Sequence, residues 1–285
     1  PPVEAIKTIE YSNGGMSIQN GASFGGKLNY AIKEPDWGRQ ISYESISMLG
    51  SYGLRSTYQR LHGRVGKLGY SVYYQQGASD GYRQGGTSKN NAQFAQLTYL
   101  ASKRLSIKAE LGRTSYLYRS AGQLTDSMFY ANSRAVTRRR DYTSPTVYVP
   151  SIVVNWSSKK RIKGYLPQTM LRFTTSAVLG NNNTLLFNGL ANAMDTINSL
   201  TGRYNNRRID IDVFNSYTSE LRLIHLYKIK DSEGHQLIAG ISYNNNNLHR
   251  RQQGEGTAGT NYDLTLVNDT WGRNLRFRTQ NIAAF

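Results

Sequence analysis

The chain has 285 residues, no cysteine and a formal net charge of +17. The missing cysteine excludes disulfides, thiolate metal sites and cysteine nucleophiles together. No apolar run reaches the roughly 20 residues of a membrane-crossing helix, and a bilayer would have to be crossed by tilted strands of about 9–11 residues.

Hydrophobic residues make up 38%, which is low for a soluble core, and Tyr contributes 21 residues against 8 Phe and 3 Trp. Tyrosine has an apolar body and a polar tip, and suits membrane–water interfaces and polar channel walls. The basic balance raises nucleic acid as a partner. The Lys and Arg residues are spread through loops and turns rather than gathered on one helix or stripe, and we expect no nucleic acid. A surface facing anionic headgroups or an anionic small ligand fits better. The chain starts at Pro1 without a signal peptide and reads as an internal fragment of a longer protein.

In chain order, Ile9 to Glu34 comes first and is glycine-rich, with pairs at Gly14–Gly15 and Gly25–Gly26. Such pairs at strand edges mark tight turns or close backbone approach. From Trp37 the period is two. Ile41, Tyr43, Ser45, Ser47 and Leu49 share a face. Leu54 to Val65 and Leu68 to Gln76 follow. Leu105, Ile107, Ala109 and Leu111 alternate with Ser106, Lys108, Glu110 and Gly112, which is the mark of a sheet with one apolar face. The pattern returns in VYVPSIVVNW, MLRFTTSAVLG, SYTSELRLIHLY, QLIAGISYN and NLRFRTQNIAAF, giving about ten strands. One short helix is expected, at Leu190 to Leu200, within a loop.

The connections alternate between short and long. Tight turns are expected at Val65–Lys67, Ser102–Lys103 and Lys230–Gly234, with Ser157 to Gln168 longer and basic. Long loops are expected at Gly77 to Asn91, Ser120 to Pro150, Asn181 to Asp212 and Asn245 to Gly272. Alternation puts the long loops at one end of an antiparallel sheet, the asymmetry of outer-membrane barrels. A soluble β-sandwich with elaborate loops is the plainer alternative.

Catalytic constellations are not found. His62, His225, His235 and His249 lack ligand spacing, with His249 in a loop, and we expect no metal site. Asp195, Asp210 and Asp212 read as solvated loop acids. No nucleotide or nucleophile motif occurs, so neither enzyme activity nor a cofactor is expected. What remains are loop arginines: Arg134, Arg138, Arg139 and Arg140 in one loop, Arg203, Arg207 and Arg208 in the next, Arg250 and Arg251 in the last. The planar guanidinium suits carboxylates. Capture of an anionic ligand at a barrel mouth is one reading; contact with outer-leaflet lipid phosphates, or no contact, is the other.

Ile9–Glu10, Gly14, Ser17–Ile18, Gly21, Gly25–Gly26 and Leu28–Asn29 together resemble the end of the plug domain of TonB-dependent outer-membrane receptors. Asn13 and Asn20 stand where that family has Arg and Tyr. Downstream, SDGYR, LSIKAELGRTSYLYR, GQLTDSMF, YVPSIVVNW, FNSYTSELRL and NNNLHRRQQGEGTAGT resemble the ferric-citrate-type subgroup found in Bacteroidetes-like bacteria. The resemblance implies an all-β fold: a partial transmembrane antiparallel β-barrel, about ten strands of the roughly 22 in such transporters, after the last plug strands. Residues 1–36 would be the plug end, with Gly14, Gly21, Gly25, Gly26 and Asn29 as its structural motif, and 37–285 the first part of the barrel.

It further implies energy-coupled import of a ferric chelate such as ferric citrate or another siderophore. Arg134, Arg138, Arg139, Arg140, Arg207, Arg208, Arg250 and Arg251 are the loop candidates for ligand binding. The implied partners are the chelate, the TonB complex, and outer-membrane lipid with lipopolysaccharide. An adhesive or structural barrel binding a protein or glycan through its loops is the alternative.

Overall fold

The computed structural model describes residues 1–12, 26–158, 168–190, 193–228, 234–257 and 263–285. Gly14, Gly21 and Gly25 lie outside the described residues, as do Asn13 and Asn20 and most of the stretch between Ser157 and Gln168.

A single 3-10 turn, Val3–Ala5, leads into a two-stranded antiparallel hairpin of β1 (Ile6–Ser12) and β2 (Lys27–Ile32). Gly26 enters β2 with φ +89, and a Cβ there would stand 2.6 Å from the Ser12 carbonyl oxygen. Only glycine fits that corner. Asn29 lies opposite Glu10 in the register and donates to its carboxylate at 2.9 Å.

The rest is one ten-stranded antiparallel sheet, each strand pairing with its sequence neighbour. Its strands are β3 (Ser42–Gly50), β4 (Leu54–Val65), β5 (Leu68–Ser79), β6 (Ser88–Leu100) and β7 (Leu105–Arg119), then β8 (Tyr142–Ser157), β9 (Gln168–Phe187), β10 (Arg207–Lys228), β11 (Gly234–Gly256) and β12 (Leu266–Ala284). The sheet is open: β3 and β12 are its two edges. Among the described residues no helix is long and apolar enough to cross a membrane, which says nothing of crossing by strands.

The alternation of faces runs unbroken across this wall. One row of directly paired residues reads Leu68, Tyr99, Ile107, Val154, Phe173, Leu221 and Ile241. The next reads Tyr70, Leu97, Ala109, Ile152 and Thr175. These side chains point outward and stay exposed: Leu97 at 49%, Ile152 at 46%, Leu221 at 46% and Ile241 at 50%. An apolar surface this continuous needs an apolar neighbour. The opposite face is polar, with Lys108 beside Glu110 at 2.7 Å, Ser151 donating to Glu110 at 2.9 Å, and Arg222 beside Glu220 at 2.7 Å.

The inward face also receives the N-terminal segment. Ala5 is fully buried against Tyr58, Tyr73 and Ala92, with Ile46 and Phe94 around them. The Tyr73 and Phe94 rings stack at 5.2 Å.

Several loop expectations are corrected. β9 runs through Asn181–Asn183 to Phe187, and β11 runs through Asn244–Asn247 to Gly256. Arg207, Arg208, Asp210 and Asp212 lie in β10, and His249, Arg250 and Arg251 in β11, all expected in loops. Along Asn181–Asn183 and Asn244–Asn247 both faces of the strand are polar, so alternation vanishes from the sequence while the hydrogen-bonded ladder continues; Ile209, Ile211 and Val213 do alternate with Asp210 and Asp212, and that period, flanked by charge, is strand. The helix expected at Leu190 to Leu200 is not found among its described residues; the only α-helix among the described residues is α1 (Asp126–Ala131), capped by Thr125, whose side chain accepts from the Met128 N–H at 3.3 Å.

Candidate functional site

Two regions of the inward and loop-bearing side concentrate charge. The first is the layer made by the connections 120–141 and 188–206. The second lies between the β1–β2 hairpin and the wall.

In the loop layer, Arg140 grips Asp195 through two hydrogen bonds of 2.8 and 2.6 Å, and both side chains are buried. The Arg140 guanidinium also lies 4.1 Å from the centre of the Tyr204 ring. Arg138 donates to the carbonyls of Ala193 and Leu190, the latter at 2.7 Å, and stacks 4.4 Å from the Phe187 ring. Both residues therefore tie one long loop to the next. Asp141, at the mouth of β8, accepts from the Phe187 N–H at 2.7 Å and lies 3.9 Å from Arg138. Burial outweighs these favourable contacts and pushes its carboxyl up to about 6.

The other predicted arginines divide. Arg134 is exposed, donates to the Tyr82 carbonyl at 2.9 Å and lies 5.5 Å from the Tyr82 ring. Arg139 is exposed, and its carbonyl accepts from Arg119. Arg207 is buried at the base of β10, near Tyr142, Asp263, Asp195 and Arg140. Arg208 pairs with Asp210 at 2.7 Å and Arg250 with Asp212 at 2.9 Å. Arg251 lies 5.2 Å from the Trp271 ring. The structure thus brings Arg138, Arg140 and Arg207 into one neighbourhood and leaves Arg250 on β11, engaged with β10. Asp195, Asp210 and Asp212 are arginine partners, not solvated loop acids.

Near the turn-bearing end, the N-terminal segment is clamped to the wall. Lys33 meets Glu44 at 2.6 Å, and Arg60 approaches Glu44 at 3.6 Å. Arg60 also donates to the carbonyls of Lys33 and Glu34 and, through Nε, to Ser71. Sequence reading missed this cluster. Its signal was present: Glu44 and Arg60 occupy inward positions of adjacent strands and face each other in the register. At the far end of the hairpin, a cleft of about 470 Å³ separates it from the wall, with Glu10, Lys27, Asn29, Arg172, Glu220 and Arg222 among its lining. Among the described residues no group of three or more metal-binding side chains converges.

An open antiparallel wall, apolar outside and polar inside, with a hairpin held within its curve, is the fold of part of a TonB-dependent outer-membrane receptor. Among solved structures the chain is similar to the ferric citrate transporter FecA in its unliganded form, with TM-score 0.73 and 14% identity over 99% of this chain and 40% of that one. It is also similar to FpvAI in complex with pyocin S2, with TM-score 0.70 and 10% identity over 98% of this chain and 38% of that one. A third is the pyoverdine outer membrane receptor FpvA from Pseudomonas aeruginosa PAO1 bound to pyoverdine, with TM-score 0.67 and 12% identity over 98% of this chain and 42% of that one. Identities this low make the likeness one of fold. The chain spans about two fifths of the length of these proteins, 38% to 42%. No family model and no curated protein matches the sequence.

Proposed function

We propose that this chain is part of an energy-coupled outer-membrane receptor that takes up an iron chelate and makes no covalent bond. The observation that carries the reading is the clamp of Arg60, Glu44 and Lys33, which seats a hairpin inside a wall whose outer face is apolar. In this reading residues 1–36 end the plug and residues 37–285 begin the barrel. A plug seated by a few polar contacts can be held at rest and shifted under load, which is what energy coupling through a TonB complex requires.

Strand lengths support the membrane placement. β11 has 23 residues and β10 has 22, well beyond the about 9–11 that a bilayer needs. Their surplus lies at the end bearing the long loops, where the ion pairs Arg208–Asp210 and Arg250–Asp212 stand beside a small apolar core of Tyr142, Leu185 and Ile209, as in a wall that rises above the outer leaflet and carries its own loops. The solved structures of like fold bear the names of ferric citrate, pyoverdine and ferric-catecholate receptors, which supports an iron chelate as cargo.

For ligand capture, Arg134 and Arg139 are the exposed arginines of the 120–141 loop and the ones free to meet an anionic chelate. Arg138, Arg140 and Arg207 set the loop framework behind them. Arg208, Arg250 and Arg251 lie on the strands that carry it. The test is titration of the membrane-extracted protein with ferric citrate and with an uncharged ferric siderophore. Saturable binding of either supports the reading. Recovery of the protein in the aqueous fraction after lysis without detergent, or no binding of any ferric chelate, would overturn it.

A further inference from the structure

We propose that the inward wall of β8 to β12 holds the aromatic arm of an anionic ferric chelate, in a slot between Phe214 and Phe277. The proposal rests on the chelate reading above and names the class of cargo, a chelate that carries a ring, which ferric citrate does not.

The register assembles the slot. Val147 pairs with Gly180, Gly180 with Phe214, Phe214 with Leu248, and Leu248 with Phe277, one row across five strands. The row lies on the inward face, because alternation from Phe214 reaches Thr218, Glu220 and Arg222, which line the cleft beside the hairpin. Phe214 is nearer the loop-bearing end than Thr218, so the row stands between the hairpin cleft and the loop layer. The next two rows toward the hairpin are polar and read Ser216, Asn246 and Thr279, then Thr218, Asn244 and Asn281. They bond among themselves, Asn246 donating to Thr279 at 3.3 Å and Thr218 to Asn244 at 2.9 Å. Phe277 is nevertheless 49% exposed, and Val178 beside Ser216 and Leu275 beside Arg250 extend the open apolar surface. An exposed apolar patch on a face whose other rows are polar marks a binding surface.

The shape suits a planar ring. Phe214 leans toward β9: a Cβ on Gly180 would stand 3.1 Å from the ring's Cζ. The missing side chain at Gly180 makes room for the ring and turns it away from Leu248. Strands two apart are about 10 Å from each other, roughly twice the spacing at which aromatic rings pair. A ring resting on Leu248 therefore reaches both phenyl groups. Cations stand at the loop-side edge. Arg250 is held by Asp212 through bonds of 3.0 and 2.9 Å. Arg273, paired with Gln252, lies on the same face beyond Leu275, is exposed, and has no carboxylate partner among the described residues. An apolar stretch of protein laid over the row would leave Arg273 unmatched. An aryl group bearing its own carboxylate satisfies both the row and the guanidinium.

The experiment titrates the membrane-extracted protein with two ferric trihydroxamates of the same iron centre and charge. One has its terminal amine capped as a phthaloyl half-amide, a ring with a carboxylate; the other as a succinyl half-amide, a carboxylate alone. The unaltered protein should bind the phthaloyl chelate at least about tenfold more tightly. A Phe214→Ala, Phe277→Ala variant should bring the two within about threefold, while Phe277→Tyr keeps the preference. Equal affinities in the unaltered protein overturn the proposal without any variant, and so does an unchanged preference in the double variant. Equal affinities together with a lowered unfolding midpoint in the double variant would show the row covered by the protein itself. Binding of neither chelate also overturns the proposal, and ferric citrate titration of the same protein then separates the two readings: if citrate binds, the uptake reading stands and this slot alone falls; if it does not, both fall.

Discussion

Arg60 of β4 donates through Nη2 to the main-chain carbonyl of Glu34 at 2.7 Å. A side chain of the wall thereby holds the backbone of the segment that enters it. The same nitrogen reaches the Lys33 carbonyl at 3.1 Å, and Nε reaches Ser71 at 3.0 Å. Arg60 is 4% exposed, so these bonds form away from water and count more than surface pairs would.

Arg60→Ala should therefore cost about 2–4 kcal/mol, because it strips two carbonyls and Glu44 of a buried cation. Hydrogen exchange should show faster exchange in β1 and β2 than in β9 to β11. An unchanged unfolding midpoint together with unchanged exchange in the hairpin would show that the clamp is idle.

The Arg140–Asp195 pair ties loop 120–141 to loop 188–206, with Asp195 only 4% exposed. Removing one partner strands a buried charge. Asp195→Leu should destabilise by about 3–5 kcal/mol, and Arg140→Met with Asp195→Leu should recover much of that. Limited proteolysis between residues 188 and 206 reads the effect directly. Equal protease sensitivity of the single and double variants would contradict the coupling.

Asp141 gives the loop layer a pH dependence. Burial raises its carboxyl to about 6, above the ordinary aspartate value, so between about pH 4 and 6 the folded state binds more protons than the unfolded one. Stability from this group is full below pH 4 and is lost as pH rises through 6, by roughly 2–3 kcal/mol. Asp141→Asn keeps an acceptor for the Phe187 N–H and cannot ionise. It should flatten that part of the profile, read as unfolding midpoint against pH. A parallel profile in both proteins would refute the assignment.

Arg139 is exposed and has no carboxylate partner among the described residues. Arg139→Gln should weaken ferric citrate binding about threefold to tenfold at low salt, with a smaller effect at high salt and little change in stability. Arg138→Gln should lower stability as well, because Arg138 carries loop–loop contacts. Equal effects of the two on affinity and stability would remove the distinction between capture and framework.

Trp37 lies against Gly69: a Cβ at Gly69 would stand 2.8 Å from the indole. Gly69→Val should displace Trp37, with a red-shifted tryptophan emission and a loss of about 1–3 kcal/mol. Emission identical to that of the unaltered protein would mean the ring is not packed there.

The strand series was legible because each strand presents one apolar and one polar face, as Leu105, Ile107, Ala109 and Leu111 do against Lys108 and Glu110. Strand ends were not legible. Asn181–Asn183 and Asn244–Asn247 have no apolar face to betray the period, yet they pair residue by residue with β10. The same loss of contrast hides the strand at Arg250 and Arg251; Arg207 and Arg208 instead precede an alternating run, Ile209 to Val213, whose interleaved aspartates read as loop acids. Turn and loop lengths shrank accordingly, while their alternation around the sheet was kept.

By itself, the sequence determined an antiparallel series with one apolar face, its long connections gathered at one end, and a glycine-bearing hairpin ahead of it. Periodicity and turn chemistry are local and can be read residue by residue. The tertiary structure alone decided which groups meet: Arg60 with Glu34, Arg140 with Asp195 across 55 positions, and Phe214, Leu248 and Phe277 in one row of the inward face. Those meetings depend on strand register and sheet curvature, which follow from the pairing of whole strands rather than from any short stretch of chain.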